Sequence, residues 1–160
     1  MQPKSNSDLF WRQIKGTYYT DQPALTLPQD LAWCALQKRS PVLDTCRGQT
    51  DDHIARLQQV FESLGDPAPH QSCPAIEGFI EQSEKVLNNY TGATALDAGL
   101  AAIAQAVEQY EIARHGTLRP WAELLGLAES LALLKKTFAE KSAADQPLGG
   151  AMTKVAVNDM

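Results

Sequence analysis

The sequence predicts an all-α protein, a four-helix bundle with one shorter extra helix, on three observations. Apolar residues recur at spacings of three and four along most of the 160 residues. No stretch alternates with a period of two for long enough to make a strand. Proline and glycine fall between the periodic segments, where helices start and stop.

Ser7 is placed to cap a first helix carrying Leu9, Phe10, Ile14 and Tyr18. Pro23 and Pro28 interrupt it, because each removes an amide donor and its ring meets the carbonyl four residues back. A kink or short break is expected there, followed by a stretch through Leu31, Trp33, Cys34 and Leu36. Ser40-Pro41 pairs an N-cap with a proline at the first helical position and opens a long helix. Leu43, Cys46, Thr50, His53, Leu57, Val60 and Leu64 form its seam, and Gly65 is its C′ residue. Asp66 to Pro74, with three prolines, reads as a loop. A shorter helix carries Ile76, Phe79, Ile80, Val86, Leu87 and Tyr90. From Thr94 another long helix presents Leu96, Leu100, Ile103, Val107 and Tyr110, and runs to Gly116 or through Pro120 to Leu125, with Gly126 closing it. The last helix carries Leu127, Leu131, Leu134 and Phe138 and fades near Asp145-Gln146-Pro147. Residues 1–147 are thus read as one bundle, and 148–160 as a tail, frayed or a short helical turn.

Composition narrows the function classes. With 44% hydrophobic and 21% charged residues, the chain can bury a core without a metal or disulfide staple. A net charge of −5 without a long basic run argues against nucleic acid. No apolar stretch approaches the roughly 20 residues that span a bilayer. The polar start lacks a signal core, so the expected location is the cytoplasm. Cys34, Cys46 and Cys73, without a CxxC pair, suit free thiols in a reducing compartment. Glu81, Glu84 and Lys85 lie off the apolar face as a solvated surface.

Ionisable groups beside the seams are the candidates for chemistry, because burying them is costly unless they are paired or ligating. Ala104, Glu108, Glu111 and His115 form a row at i, i+4, i+7 and i+11, so two carboxylates point the same way. Their repulsion calls for a cation, a proton or an Arg, or else the row lies at the bundle edge with Arg114 or water neutralising it. His53 sits on its helix's seam, with Gln49 one turn earlier, and suits either a satisfied core histidine or a ligand. Glu140 is on the shoulder of the Leu134/Phe138 stripe, one turn from Thr137. Asp21 precedes the Pro23 kink, where turn chemistry explains it equally well. Together these place a polar candidate on each of four long helices, the arrangement by which four-helix bundles hold paired metal ions. Trp11, Trp33 and Trp121 read as core and interface aromatics.

Thr50-Asp51-Asp52-His53-Ile54-Ala55-Arg56-Leu57-Gln58-Gln59-Val60-Phe61, Ser63-Leu64-Gly65, Cys73-Pro74-Ala75-Ile76-Glu77-Gly78, Val107-Glu108-Gln109-Tyr110-Glu111-Ile112-Ala113, Gly116-Thr117-Leu118, Ala122-Glu123-Leu124-Leu125-Gly126 and Lys141 to Asp145 resemble the YciE/YciF family of bacterial ferritin-like proteins. The resemblance spans about Leu9 to Asp145 and implies a ferritin-like bundle, a homodimer, a link to stress responses and a di-iron site without a settled activity. It implies metal ligands at Glu108, Glu111 and Glu140, with Asp21 and Gln49 standing where the family has glutamates; in the last helix's acidic cluster only Glu140 remains, flanked by Ala139 and Lys141, and the seam residue His53 is added to this candidate set from its own position. A neutral Gln49 and a shortened Asp21 weaken a site that must offset four or more positive charges. The expected function is therefore a stress-associated bundle with a degraded or weak carboxylate site and no established catalysis, with no cofactor or with iron or manganese weakly held. The alternative is a di-iron or di-manganese oxidase or peroxide scavenger in which water, His53 or His115 replaces the missing carboxylate.

Overall fold

The computed structural model describes residues 5–21, 41–65, 73–90 and 93–157. The Pro23/Pro28 kink, the Leu31–Leu36 stretch, Cys34 and residues 66–72 of the expected loop lie outside them. Five helices are described: α1 (Asn6–Asp21), α2 (Pro41–Ser63), α3 (Pro74–Asn89), α4 (Ala93–Leu124) and α5 (Ala128–Val157). α1 packs on α2 and α4, α5 packs on α2 and α4, and α3 lies against the outside of α4. The result is a ring of four helices with the shortened helix outside it, the fold class expected from the sequence.

The helix ends follow local chemistry, with two departures from expectation. α1 is opened by Ser5, not Ser7. The Ser5 hydroxyl accepts from the Asp8 amide at 3.2 Å and the Asp8 carboxylate accepts from the Ser5 amide at 2.7 Å, a reciprocal capping box. α5 does not fade near Asp145 but continues as helix through Pro147 to Val157. Pro147 has a helix-compatible φ, and the helix carries it despite the lost amide bond and the crowding of its ring against the carbonyl four residues back. Pro120 is likewise carried inside α4.

Two glycines act as stops. Gly126 has φ +71°, and around it the Leu127 amide reaches the Ala122 carbonyl at 2.9 Å while the Gly126 amide reaches Glu123 at 3.0 Å. This is the paired closure that reverses α4 into α5. Gly65, also at φ +71°, ends α2.

The core is continuous: Phe10, Ile14 and Tyr18 of α1, Ile54, Leu57, Val60 and Phe61 of α2, Leu118 and Ala122 of α4, and Leu134 of α5. Phe61 is its aromatic centre, edge-on to Tyr18 at 5.5 Å and tilted against Trp11 at 6.4 Å. Trp11 and Trp121 are only half-buried against this cluster. α3 approaches α4 closely at Gly99, where an added Cβ would stand 2.8 Å from Val86 Cγ1. No helix of the described residues is long and apolar enough to cross a membrane.

Candidate functional site

The polar residues inside the ring gather on two faces of α5. Glu140 and Lys141 are consecutive, so they project about 100° apart around the helix axis, one towards α2 and the other towards α4.

On the α2 side, His53 and Arg56 stand one turn apart and face Thr137 and Glu140, also one turn apart. The Arg56 guanidinium donates to both oxygens of Glu140, Nη1 to Oε2 at 2.6 Å and Nη2 to Oε1 at 3.1 Å, and Nη1 also donates to Thr137 Oγ1 at 3.2 Å. His53 Nε2 lies 3.1 Å from the same Glu140 Oε2. This fork-to-fork pairing is the strong form of an ion pair. Arg56 is buried, whereas the Glu140 side chain keeps 26% of its surface exposed. The Arg56 hydrogen bonds hold the Glu140 carboxyl below its ordinary pKa against the opposing effect of burial, with a smaller contribution from His53. Asp52, one turn before Arg56, is 3.8 Å from Nη2 and largely exposed, so it adds little.

On the α4 side, Lys141 Nζ lies 2.5 Å from Glu111 Oε2, with each side chain only 4% exposed. Two opposite charges so fully removed from water are sustained only by pairing. Glu108 stands a turn before Glu111 with its Oε2 enclosed by protein, and His115, a turn after, is wholly buried. The cation that meets this carboxylate row at Glu111 is thus Lys141 and not Arg114, the neutraliser considered from the sequence. Arg114 instead ties α4 to α1. It donates from Nη2 to the Gln13 carbonyl at 2.6 Å, from Nε to Thr17 Oγ1 at 3.0 Å and from Nη1 to Tyr110 Oη at 3.0 Å. Tyr110 Oη also lies 3.3 Å from Cys73 Sγ. Burial, then this thiol contact, push the Tyr110 hydroxyl above its usual pKa.

Of the candidates read from the sequence, the fold brings Glu140 and His53 into direct contact and places Glu108 and Glu111 together on α4. Gln49 is half-buried on α2, one turn before His53. Asp21 is the last residue of α1, and its side chain lies outside the described residues. A di-metal centre needs carboxylate oxygens that face one point and are open to ligation. Here both oxygens of Glu140 are engaged by Arg56, and Lys141 sits on Glu111. Among the described residues no group of three or more His, Cys, Asp or Glu side chains is arranged to hold a metal ion. The described residues therefore do not fit a di-metal centre.

The functional residues that sequence reasoning passed over are the two cations. Their signal was present: Arg56 stands at His53+3 and Val60−4, and Lys141 at Leu134+7 and Thr137+4, both on buried stripes.

The chain matches the family described as "Domain of unknown function (DUF892)" over residues 5–160. It is 33% identical to Protein YciF of Escherichia coli (strain K12), covering 100% of this chain and 95% of that protein. Its fold is similar to the crystal structure of the E. coli stress protein YciF, with a TM-score of 0.86 over 99% of this chain and 100% of that one at 33% identity. It is also similar to YcfI from Rhodopseudomonas palustris, provisionally named a structural protein, with a TM-score of 0.80 over 91% of this chain and 94% of that one, again at 33% identity. The chain belongs to the DUF892 family, the YciE/YciF family that its sequence resembles.

Proposed function

We propose, on the premise of this membership, that the protein is a stress-associated ferritin-like bundle whose carboxylate site has been converted from metal binding to internal charge pairing, with a structural or binding role and no catalysis. The observation that carries this reading is the burial of a basic side chain on each of the two key carboxylates, Arg56 on Glu140 and Lys141 on Glu111. A divalent ion entering this space would have to displace a hydrogen-bonded guanidinium or ammonium that is already desolvated. Oxidase or peroxide chemistry at this position would then lack its metal.

The protein acts in the cytoplasm as a homodimer, away from nucleic acid and membranes. The dimer is what the family resemblance implies, and Leu9, Tyr90 and Leu124, all exposed, with the half-covered Trp11 and Trp121, are the apolar surface available to a second copy. Light scattering is expected to return twice the 17.5 kDa chain mass, and a monomer at all practical concentrations would refute the dimer.

The function is tested by purifying the protein from iron- and manganese-supplemented cells and measuring bound metal with oxygen and peroxide consumption. Substoichiometric metal and no turnover are expected. Stoichiometric iron with turnover would establish the di-iron reading instead.

A further inference from the structure

The proposed function assigns the site no metal; why the bundle is stable without one is a separate matter, and it turns on Lys141. Lysine is strongly hydrated and among the residues least often buried. Yet Lys141 lies in the interior between α4 and α5 with its Nζ 2.5 Å from Glu111 Oε2. It follows Leu134 and Thr137 along the buried stripe of α5, and it faces the stretch of α4 where Glu108, Glu111 and His115 succeed one another at helical spacing. We propose that Lys141 is a tethered surrogate for a bound cation: its ammonium supplies from within the chain the positive charge that this carboxylate row would otherwise draw from a divalent metal, and so excludes the metal.

The geometry supports the substitution in both directions. A glutamate side chain ends one atom sooner than a lysine, so its oxygen would stop about 1.5 Å short of the present Nζ position. Opposite Glu111 this opens a space in which a divalent cation can take an oxygen from each carboxylate at bonds of roughly 2.1 Å. Reversing the charge at position 141 thus removes the surrogate and creates a space that a divalent cation, sharing Glu111 and the neighbouring Glu108, can fill. Metal would then stabilise the fold in proportion to the logarithm of its concentration over the dissociation constant.

The test compares wild type, Lys141→Glu, Lys141→Glu/Glu111→Gln, Lys141→Gln and Lys141→Gln/Glu111→Gln. Melting temperature is followed in chelator and in about 1 mM Mn²⁺ or Zn²⁺, with bound metal measured by equilibrium dialysis. In chelator, Lys141→Glu is expected to melt about 10 °C below wild type. Metal should restore at least half of that loss, with about one ion bound per chain. Adding Glu111→Gln should recover stability without metal and abolish the metal response, while wild type shows no response. A folded Lys141→Glu protein that ignores metal, or a response that survives Glu111→Gln, would overturn the proposal while leaving the non-catalytic reading intact. If Lys141→Glu does not fold even with metal, the Lys141→Gln pair decides: Glu111→Gln must raise its melting temperature, and no rise overturns the surrogate role. Metal binding by wild type would overturn both readings.

Discussion

Replacing Arg56 by Met removes the guanidinium that holds Glu140 while keeping most of the aliphatic volume against α5. Three hydrogen bonds disappear: two to the carboxylate at 2.6 and 3.1 Å and one to Thr137 at 3.2 Å. Hydrogen bonds to charged groups are each worth about 1.5–3 kcal/mol net. A carboxylate stripped of a buried partner would cost about 3–5 kcal/mol if it stayed wholly buried. Glu140 is 26% exposed and keeps His53 at 3.1 Å, so water and the imidazole recover part of this. The expected loss is about 2–3 kcal/mol at pH 7, read from urea unfolding followed by circular dichroism. Glu140→Gln, which leaves the more deeply buried Arg56 guanidinium without its counter-charge, should cost at least as much as Arg56→Met, and the double variant should reveal a coupling of about 1–2 kcal/mol. The pH dependence carries a definite sign. Because the fold depresses the Glu140 pKa, its contribution is complete above the ordinary value of 4.5 and is lost as pH falls through the lower folded value. Wild type should therefore lose more stability than Arg56→Met on acidification below that point. A cost under about 0.5 kcal/mol, or a coupling near zero, would show that the Arg56–Glu140 pair is not what offsets this buried charge.

Two further substitutions probe how the bundle is held. Gly16→Ala would improve helix propensity by about 1 kcal/mol, but its Cβ runs into the Arg114 guanidinium that binds Gln13 and Thr17; it is expected to destabilise by about 1–2 kcal/mol in wild type and to stabilise in an Arg114→Ala background, a change of sign that thermal melts can read. Ser5→Ala should cost about 1 kcal/mol by removing the capping box of α1, whereas Ser7→Ala should cost less than half of that.

The fold class was legible because apolar spacing at three and four residues sets the helices, but not every expected seam is the core: Ile103, Val107 and Tyr110 of α4 are only half-buried and Leu9 and Tyr90 are exposed, while Glu111 and His115 of the adjoining row are buried. Leu57, Val60 and Phe61, and later Leu118 and Ala122, are buried where a period of 3.6 puts them. Helix ends were read where glycine is required, at Gly65 and Gly126, and misread where two chemistries compete. Ser5 and Ser7 are both good caps, and only Ser5 has an acid three residues on that can close the box. The last helix is expected to fade near Asp145-Gln146-Pro147 but runs on to Val157, because proline disfavours a helix without always ending it. The carboxylates of the site were visible for the same reason as the core, since Glu108 and Glu111 share one face. Their partners were not, because pairing here runs between helices 30 and 84 residues apart in sequence. A cation on a helix shoulder is usually solvated, and only its register with Leu134 and Thr137 separates Lys141 from Lys135 and Lys136, which are exposed.

Whether the bundle balances its interior charge with its own side chains is decided by anomalous diffraction from crystals grown in excess Mn²⁺ or Zn²⁺, with data at the metal edge. The expected result is Lys141 on Glu111 and Arg56 on Glu140, with no anomalous peak within bonding distance of Glu108, Glu111 or Glu140. A peak ligated by those carboxylates, with Lys141 swung out of the core, would show instead that this protein is a metal-binding bundle.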